Sequence, residues 1–296
     1  MSVTHLVLVD PQNDFVVADD GHGNRGRLVV PGAEGDISRL SAMIRRVGRK
    51  LDDIHVTLDS HQTVGIERPR WWRRVSDGAE PAPFTCLGIH PDGRRVVKYD
   101  FGASGPVPTE EEYTTYIPSM MHQGGVTGKG SFGYLQALAA KGRYPHIVWT
   151  EHCIVGQWGW SIVPELAQTL SDWERDEFAR VNYVVKGNNP NTEHFSGVQA
   201  EVPDPSDPAT QINTHLIRSL EDADIVAIAG EALSHCVSST GRDIAAAFSN
   251  PEYIRKLVLL TDATSNVTGF DAQGNAFIQD LVSKGMKLST TTDFLT

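Results

Sequence analysis

Apolar runs that end in a charged residue or a thiol alternate with amphipathic stretches along most of this chain. The opening THLVLVD (4–10) is an apolar run closed by Asp10 and followed by the breakers PQND, the pattern of a buried strand with Asp10 at its carboxyl end. DISRLSAMIRRVGRKL (36–51) then sets Leu40, Ile44 and Val47 at helical spacing, with Asp36 as its cap. DIHVTLDSH (53–61) reads as a second strand. Residues 62–130 are rich in Pro, Gly and Arg and read as irregular, with VVKYDFG (96–102) as a short strand. Beyond them strands and helices alternate: SFGYLQALAAKG, PELAQTLSDWERDEF, TQINTHLIRSLEDA, SSTGRDIAAAF and GNAFIQDLVSKG as helices, with HIVWTEHC, VNYVVKG, DIVAIAG, KLVLLTDA and KLSTT as strands. That alternation predicts an α/β fold of three α/β/α layers around a mainly parallel central sheet. We expect a single domain over 1–296, carrying a long insertion at about 62–145.

Composition narrows the classes. The chain has 296 residues, 40% of them hydrophobic, enough for a large core. No run reaches the roughly 18 apolar residues of a membrane span, and the N-terminus leads into a strand without a basic, cleavable leader. A soluble cytoplasmic protein with no membrane partner is expected. A net charge of −11 removes the basic footprint of a nucleic-acid binder, and Arg68, Arg70, Arg73 and Arg74 read as a solvated loop. The cysteines, Cys86, Cys153 and Cys236, are too few and scattered for a disulfide framework, so any chemistry they perform is individual.

In open parallel sheets, sites gather outside the carboxyl ends of the strands. The residues predicted there are Asp10, Asp59 with His61, His152, Lys186 and the Cys236 turn, delivered by five separate strands. Cys236 stands where DIVAIAG gives way to a helix. A thiol attacks as thiolate, and its pKa of about 8.5 falls beside a cation or at a helix N-terminus. Asp10 has the chemistry of a general base and Lys186 that of a cation holding both anions. Taken singly, each has a plainer role: a small buried hydrophobe, a turn aspartate and a surface lysine.

VDPQNDF (9–15), VVKG (184–187) and GEALSHCVSSTGRD (230–243) together resemble the isochorismatase-like cysteine hydrolase superfamily, over residues 3–61 and 146–293. The resemblance implies an amidase with Asp10 as base, Lys186 as charge partner and Cys236 as nucleophile. It also implies a cis peptide at Glu231–Ala232 and an oxyanion hole made by the N–H groups of Ala232 and Cys236. Superfamily members that hydrolyse isochorismate's vinyl ether lack this cysteine, so its presence turns the expectation to amides.

DSH places Asp59 and His61 on one face of an extended chain, and WTEHC brings His152, a three-ligand set with open positions. This set resembles that of the nicotinamidase branch, in which an ion meets the pyridine nitrogen and two aromatic rings enclose the substrate; Phe15 and Trp149 match those rings. A divalent metal is therefore expected, zinc first, with iron and manganese as alternatives, and Glu67 as a further carboxylate. The expected partner is a small amide substrate, nicotinamide foremost, and the resemblance implies a homo-oligomer. Departures are WTEHC for the family's WPPHC, GQWG for GTxG, and the length of the insertion, whose Trp71 and Trp72 are expected to pack beneath it. His194 has two readings, substrate contact or loop hydrogen bond, and the direction of His235 is open. Two other functions fit the sequence: a metal-free amidohydrolase for carbamoyl or biuret-like compounds, and a catalytically idle binder.

Overall fold

The computed structural model describes residues 2–102, 105–142 and 145–296; positions 103–104 and 143–144 of the insertion lie outside the described residues. In chain order the elements are β1 (Thr4–Val9), α1 (Asn13–Val16), α2 (Ala33–Val47), β2 (Asp53–Asp59), β3 (Trp72–Arg74), β4 (Cys86–Ile89), β5 (Val96–Gly102), β6 (Gly105–Thr115) and α3 (Gly130–Lys141). They continue with β7 (His146–Ile147), α4 (Pro164–Glu177), β8 (Asn182–Lys186), α5 (Thr214–Asp222), β9 (Ile225–Gly230), α6 (Ser238–Ala247), β10 (Leu257–Leu260), α7 (Asp271–Lys284) and β11 (Lys287–Ser289).

Six strands form a wholly parallel sheet in the order β11-β10-β9-β1-β2-β8. Side chains alternate across a strand, so β1 sends Leu6 and Leu8 into the core beneath α2 and α4, and Val7 and Val9 into the core beneath α5, α6 and α7. The three expected layers follow. β2 departs from this apolar symmetry. Ile54, Val56 and Leu58 join the core under α2 and α4, whereas His55, Thr57 and Asp59 alternate with them and are equally buried. One face of β2 is thus a polar stripe running the length of the strand.

The start of α2 differs from expectation. The helix begins after Gly32, whose φ of 101° only glycine adopts readily, so Asp36 is inside the first turn and caps nothing. Its carboxylate instead accepts from Arg39 Nη2 at 2.6 Å and from Ser265 Oγ at 2.6 Å.

The insertion is not irregular. It builds a second sheet, β3-β6-β5-β4-β7, antiparallel throughout. Proline and acidic residues hide β6 from a periodicity reading, yet they suit its position. Pro106 and Pro108 pair only with β5, while β3 joins β6 at Tyr113–Thr115, so the prolines lie where β6 is an edge. This sheet has its own core, in which Trp72 and Tyr134 are fully buried and Trp71 nearly so; the two tryptophans pack beneath the insertion as expected.

HIVWTEHC also departs from expectation. Only His146 and Ile147 are strand, and they pair with β4 of the second sheet, so this segment adds no strand to the parallel sheet. His152 reaches the site on the loop that follows.

His146 is buried between the rings of Trp72 and Tyr134, at 5.6 and 5.5 Å, and its Nε2 donates to Ile66 O at 3.0 Å. Burial lowers its pKa from 6.5 to about 4. A histidine kept neutral by folding stabilises the native state above its unfolded pKa and loses that contribution as pH falls towards the folded value. Between pH 6.5 and about 4 this one group costs about 3 kcal/mol. His146→Gln is expected to lower stability at pH 7.5 but to flatten its decline over that window, as read by urea unfolding at a series of pH values; an unchanged slope would contradict the assignment.

Candidate active site

Four strands of the parallel sheet and the turns after them build the site. Asp10 follows β1 in a left-handed conformation, φ 45°, which turns its carboxyl group back over the sheet edge. Its N–H donates to Thr57 O at 3.2 Å and Oγ1 at 3.0 Å, and Thr57 Oγ1 donates to Asp10 Oδ1 at 2.5 Å. Asp59 ends β2 and pairs in register with Lys186 at the end of β8. At the end of β9, Gly230 has φ 112°, and a Cβ there would stand 2.1 Å from Val9 O, so only glycine brings the chain this close to β1. The Glu231–Ala232 peptide that follows is cis, as the resemblance implied. Cys236 then lies in a π-helical turn, Leu233–Val237, that runs into α6.

The three residues far apart in sequence converge. Lys186 Nζ forms an ion pair with Asp10 Oδ2 at 2.9 Å, donates to Asp59 Oδ1 at 2.9 Å and to His194 O at 3.1 Å, and lies 3.8 Å from Cys236 Sγ. Burial opposes the ammonium, but Asp10, Asp59 and the sulfur outweigh it and hold Lys186 charged, well above the usual lysine range. Burial likewise raises Asp10, against the lowering effect of Lys186. The thiol does not follow the sequence expectation of a depressed pKa. Burial pushes Cys236 well above its ordinary value, and Lys186, 3.8 Å from the sulfur, only partly offsets this. At rest the sulfur is a thiol, with the Asp10 carboxylate among its charged neighbours.

Asp59, His61 and His152 also come together, with one donor atom from each within 4.8 Å of the others. Both Nε2 atoms face Asp59 Oδ2, at 2.9 and 3.1 Å. Behind the cluster, His61 Nδ1 lies 3.2 Å from Glu67 Oε1, while His152 Nδ1 accepts from Arg68 Nη1 at 2.9 Å and lies 2.8 Å from Thr150 O. The donor set fits a divalent metal with open positions. Glu67 stands behind His61 and outside the three-ligand cluster.

Arg68 overturns its reading as part of a solvated loop. It is fully buried, pairs with Glu67 at 3.1 Å, and donates to Thr150 O at 2.5 Å and His152 O at 3.0 Å, which fixes the loop carrying His152. Nothing in RPRWWRR distinguishes Arg68 from its neighbours, and only the acidic residue before it hinted at a buried pair. Thr57 is a further site residue that the sequence reading does not single out, although it stands two residues before Asp59 and so shares its face.

Phe15 and Trp149 line one cleft with Glu193, Phe195, His235 and Cys236. Phe15 lies 5.2 Å from the His152 ring and Trp149 5.2 Å from the His235 ring, edge-on. His235 therefore faces the cleft. His194 does not: its Nδ1 accepts from Gly187 N–H at 3.3 Å, the loop hydrogen bond. Glu193 is raised to about 7, chiefly by burial and then by Glu67.

Solved structures share this architecture across the whole chain. The yeast nicotinamidase Pnc1p, bound to the inhibitor nicotinaldehyde, has a TM-score of 0.59 at 19% identity, covering 97% of this chain and 100% of that one. A nicotinamidase/pyrazinamidase of Acinetobacter baumannii gives 0.59 at 17%, covering 100% and 99%. The chain has the isochorismatase-like hydrolase fold of the nicotinamidases. A pyrazinamidase of Pyrococcus horikoshii in complex with zinc shares the isochorismatase-like fold less closely, with a TM-score of 0.50 at 17% identity over 97% and 98% of the two chains. No protein-family model matches the sequence, and no curated protein does.

Within this isochorismatase-like fold, Glu67 is the outer support of His61. Glu67→Gln keeps an acceptor but removes its charge, and is expected to weaken divalent-metal binding about tenfold. Competition with a chromogenic chelator measures this; equal affinity in both proteins would exclude the role.

Proposed function

We propose that this protein is a cysteine amidohydrolase that converts a small carboxamide to its acid and ammonia through a thioester. Nicotinamide is the leading substrate, with zinc held by Asp59, His61 and His152. The observation that carries the reading is the Lys186 ammonium, 2.9 Å from Asp10 and 3.8 Å from the Cys236 sulfur. A binding protein gains nothing from burying those three groups together. The nicotinamidases and pyrazinamidases of the same fold support the substrate class.

Asp10 takes the Cys236 proton as the sulfur adds to the amide carbon, and Lys186 balances the negative charge while keeping its own protons. In the turn, His235 and Val237 N–H donate to Ala232 O, and Leu233 N–H donates to Ser265 O; by the family resemblance, the N–H groups of Ala232 and Cys236 are assigned to the oxyanion. Such a donor lowers the barrier by about 3–4 kcal/mol. Asp10 passes the proton to the nitrogen, ammonia leaves, and a water deprotonated by Asp10 opens the thioester to the acid and the thiol. Phe15 and Trp149 enclose the ring and exclude solvent. When bound, the metal supplies a Lewis-acid contact for a ring nitrogen and polarises water.

Ammonia release is the test, with nicotinamide, aliphatic amides and biuret as the panel. Cys236→Ala is expected to lose about a thousandfold or more in rate, and chelation to abolish turnover of nicotinamide until zinc is restored. Equal release by wild type and Cys236→Ala on every compound would refute the enzyme reading. Undiminished turnover of biuret after chelation would favour the metal-free alternative.

A further inference from the structure

The polar stripe on β2 has a second end. The strand carries the same dipeptide pattern twice, Asp53-Ile-His55 at its amino end and Asp59-Ser-His61 at its carboxyl end. Six residues at about 3.3 Å each put roughly 20 Å between the two. At the carboxyl end a third ligand, His152, completes the set. At the amino end the neighbouring strand supplies His5, the in-register partner of Asp53 on β1.

These three residues also form a cluster with one donor atom from each within 4.8 Å of the others. His55 Nε2 lies 3.2 Å from His5 Nδ1 and 3.6 Å from Asp53 Oδ2. Two ligands at about 2.0–2.1 Å from a tetrahedral zinc stand about 3.3 Å apart, so these separations are those of ligands around one ion. The outer support is present too. Asn182, the partner of His55 across β8, places its side-chain amide nitrogen 2.9 Å from His55 Nδ1. Turned end for end, that amide offers its oxygen to Nδ1–H and leaves Nε2 for the ion. His5 and His55 are buried, while the Asp53 side chain is 32% exposed and gives an ion access from solvent.

We propose that His5, Asp53 and His55 form a second zinc site at the amino end of the parallel sheet, separate from the catalytic centre, with its fourth position taken by water. The site joins β1 to β2 by metal bonds at the end of the sheet opposite the chemistry. Its role is to hold the register of these two strands and raise the stability of the fold.

Zinc content tests the site without reference to activity. His61→Gln/His152→Gln removes both imidazoles of the carboxyl-end set. After equilibrium dialysis at micromolar free zinc, this double variant is expected to retain one zinc per chain. Adding His5→Gln or the conservative, partly exposed Asp53→Asn is expected to remove it, with at least a tenfold fall in affinity. If the double variant does not fold, the same difference appears in otherwise unaltered protein as two zinc ions per chain against one. Zinc is also expected to raise the melting temperature of the double variant and not of its Asp53→Asn derivative. Zinc content unaffected by both amino-end substitutions would overturn the proposal and leave His5 and His55 as a hydrogen-bonded pair. Loss of amidase activity in Cys236→Ala bears on the other site and does not alter this outcome.

Discussion

The structure depends on one buried ammonium. Lys186 sits between the carboxylates of Asp10 and Asp59, all three almost without solvent contact. Removing such charges from water costs several kcal/mol per ion, and only close pairing offsets it. The ends of β1, β2 and β8 are therefore tied to a common point, because a displaced Lys186 would leave two buried anions without a partner. Asp59 divides its oxygens: Oδ1 accepts from the lysine, and Oδ2 faces the two imidazoles. The triad and the metal set thus share a carboxylate, and a change at either is felt by the other.

The same burial explains why Cys236 rests as a thiol. A bare thiolate beside Asp10 and Asp59 would add a third negative charge to a cation that already serves two. With Asp10 paired to the same Lys186 that lies 3.8 Å from the sulfur, a base stands at hand and the charge need appear only when a carbonyl carbon is present to receive it. Selectivity against stray electrophiles follows from this arrangement. A low thiol pKa, expected from a helix terminus and a nearby cation, would have made the sulfur reactive at all times.

Residues at the carboxyl ends of the strands were the legible part of the site. Asp10 follows β1, Asp59 and Lys186 close β2 and β8, and Cys236 lies in the turn after β9, each where a run of strand-forming residues stops. The parallel sheet and its helices were legible for the same reason. The insertion was not, because its strands take their order from cross-strand pairing and their composition from edge positions: Pro106 and Pro108 oppose a strand reading until the absence of a neighbour there is known. His152 was found by its motif but assigned to the wrong sheet. Arg68 was hidden altogether, since its burial arises from Glu67 and the backbone carbonyls of a loop more than eighty residues later.

The polar face of β2 is the feature that strand periodicity alone should have exposed. In a strand covered on both sides, apolar residues are expected at every position, yet Asp53, His55, Thr57 and Asp59 alternate with Ile54, Val56 and Leu58. A slip of one residue would turn each of these polar groups into the apolar layer beneath α2 and α4. The pairings that prevent it are His5 with Asp53 on one side and Asp59 with Lys186 on the other. Lys186 therefore fixes the strand at its carboxyl end, and the His5–Asp53–His55 cluster lies at its amino end. The placement of Thr57 on Asp10, midway between them, follows from both.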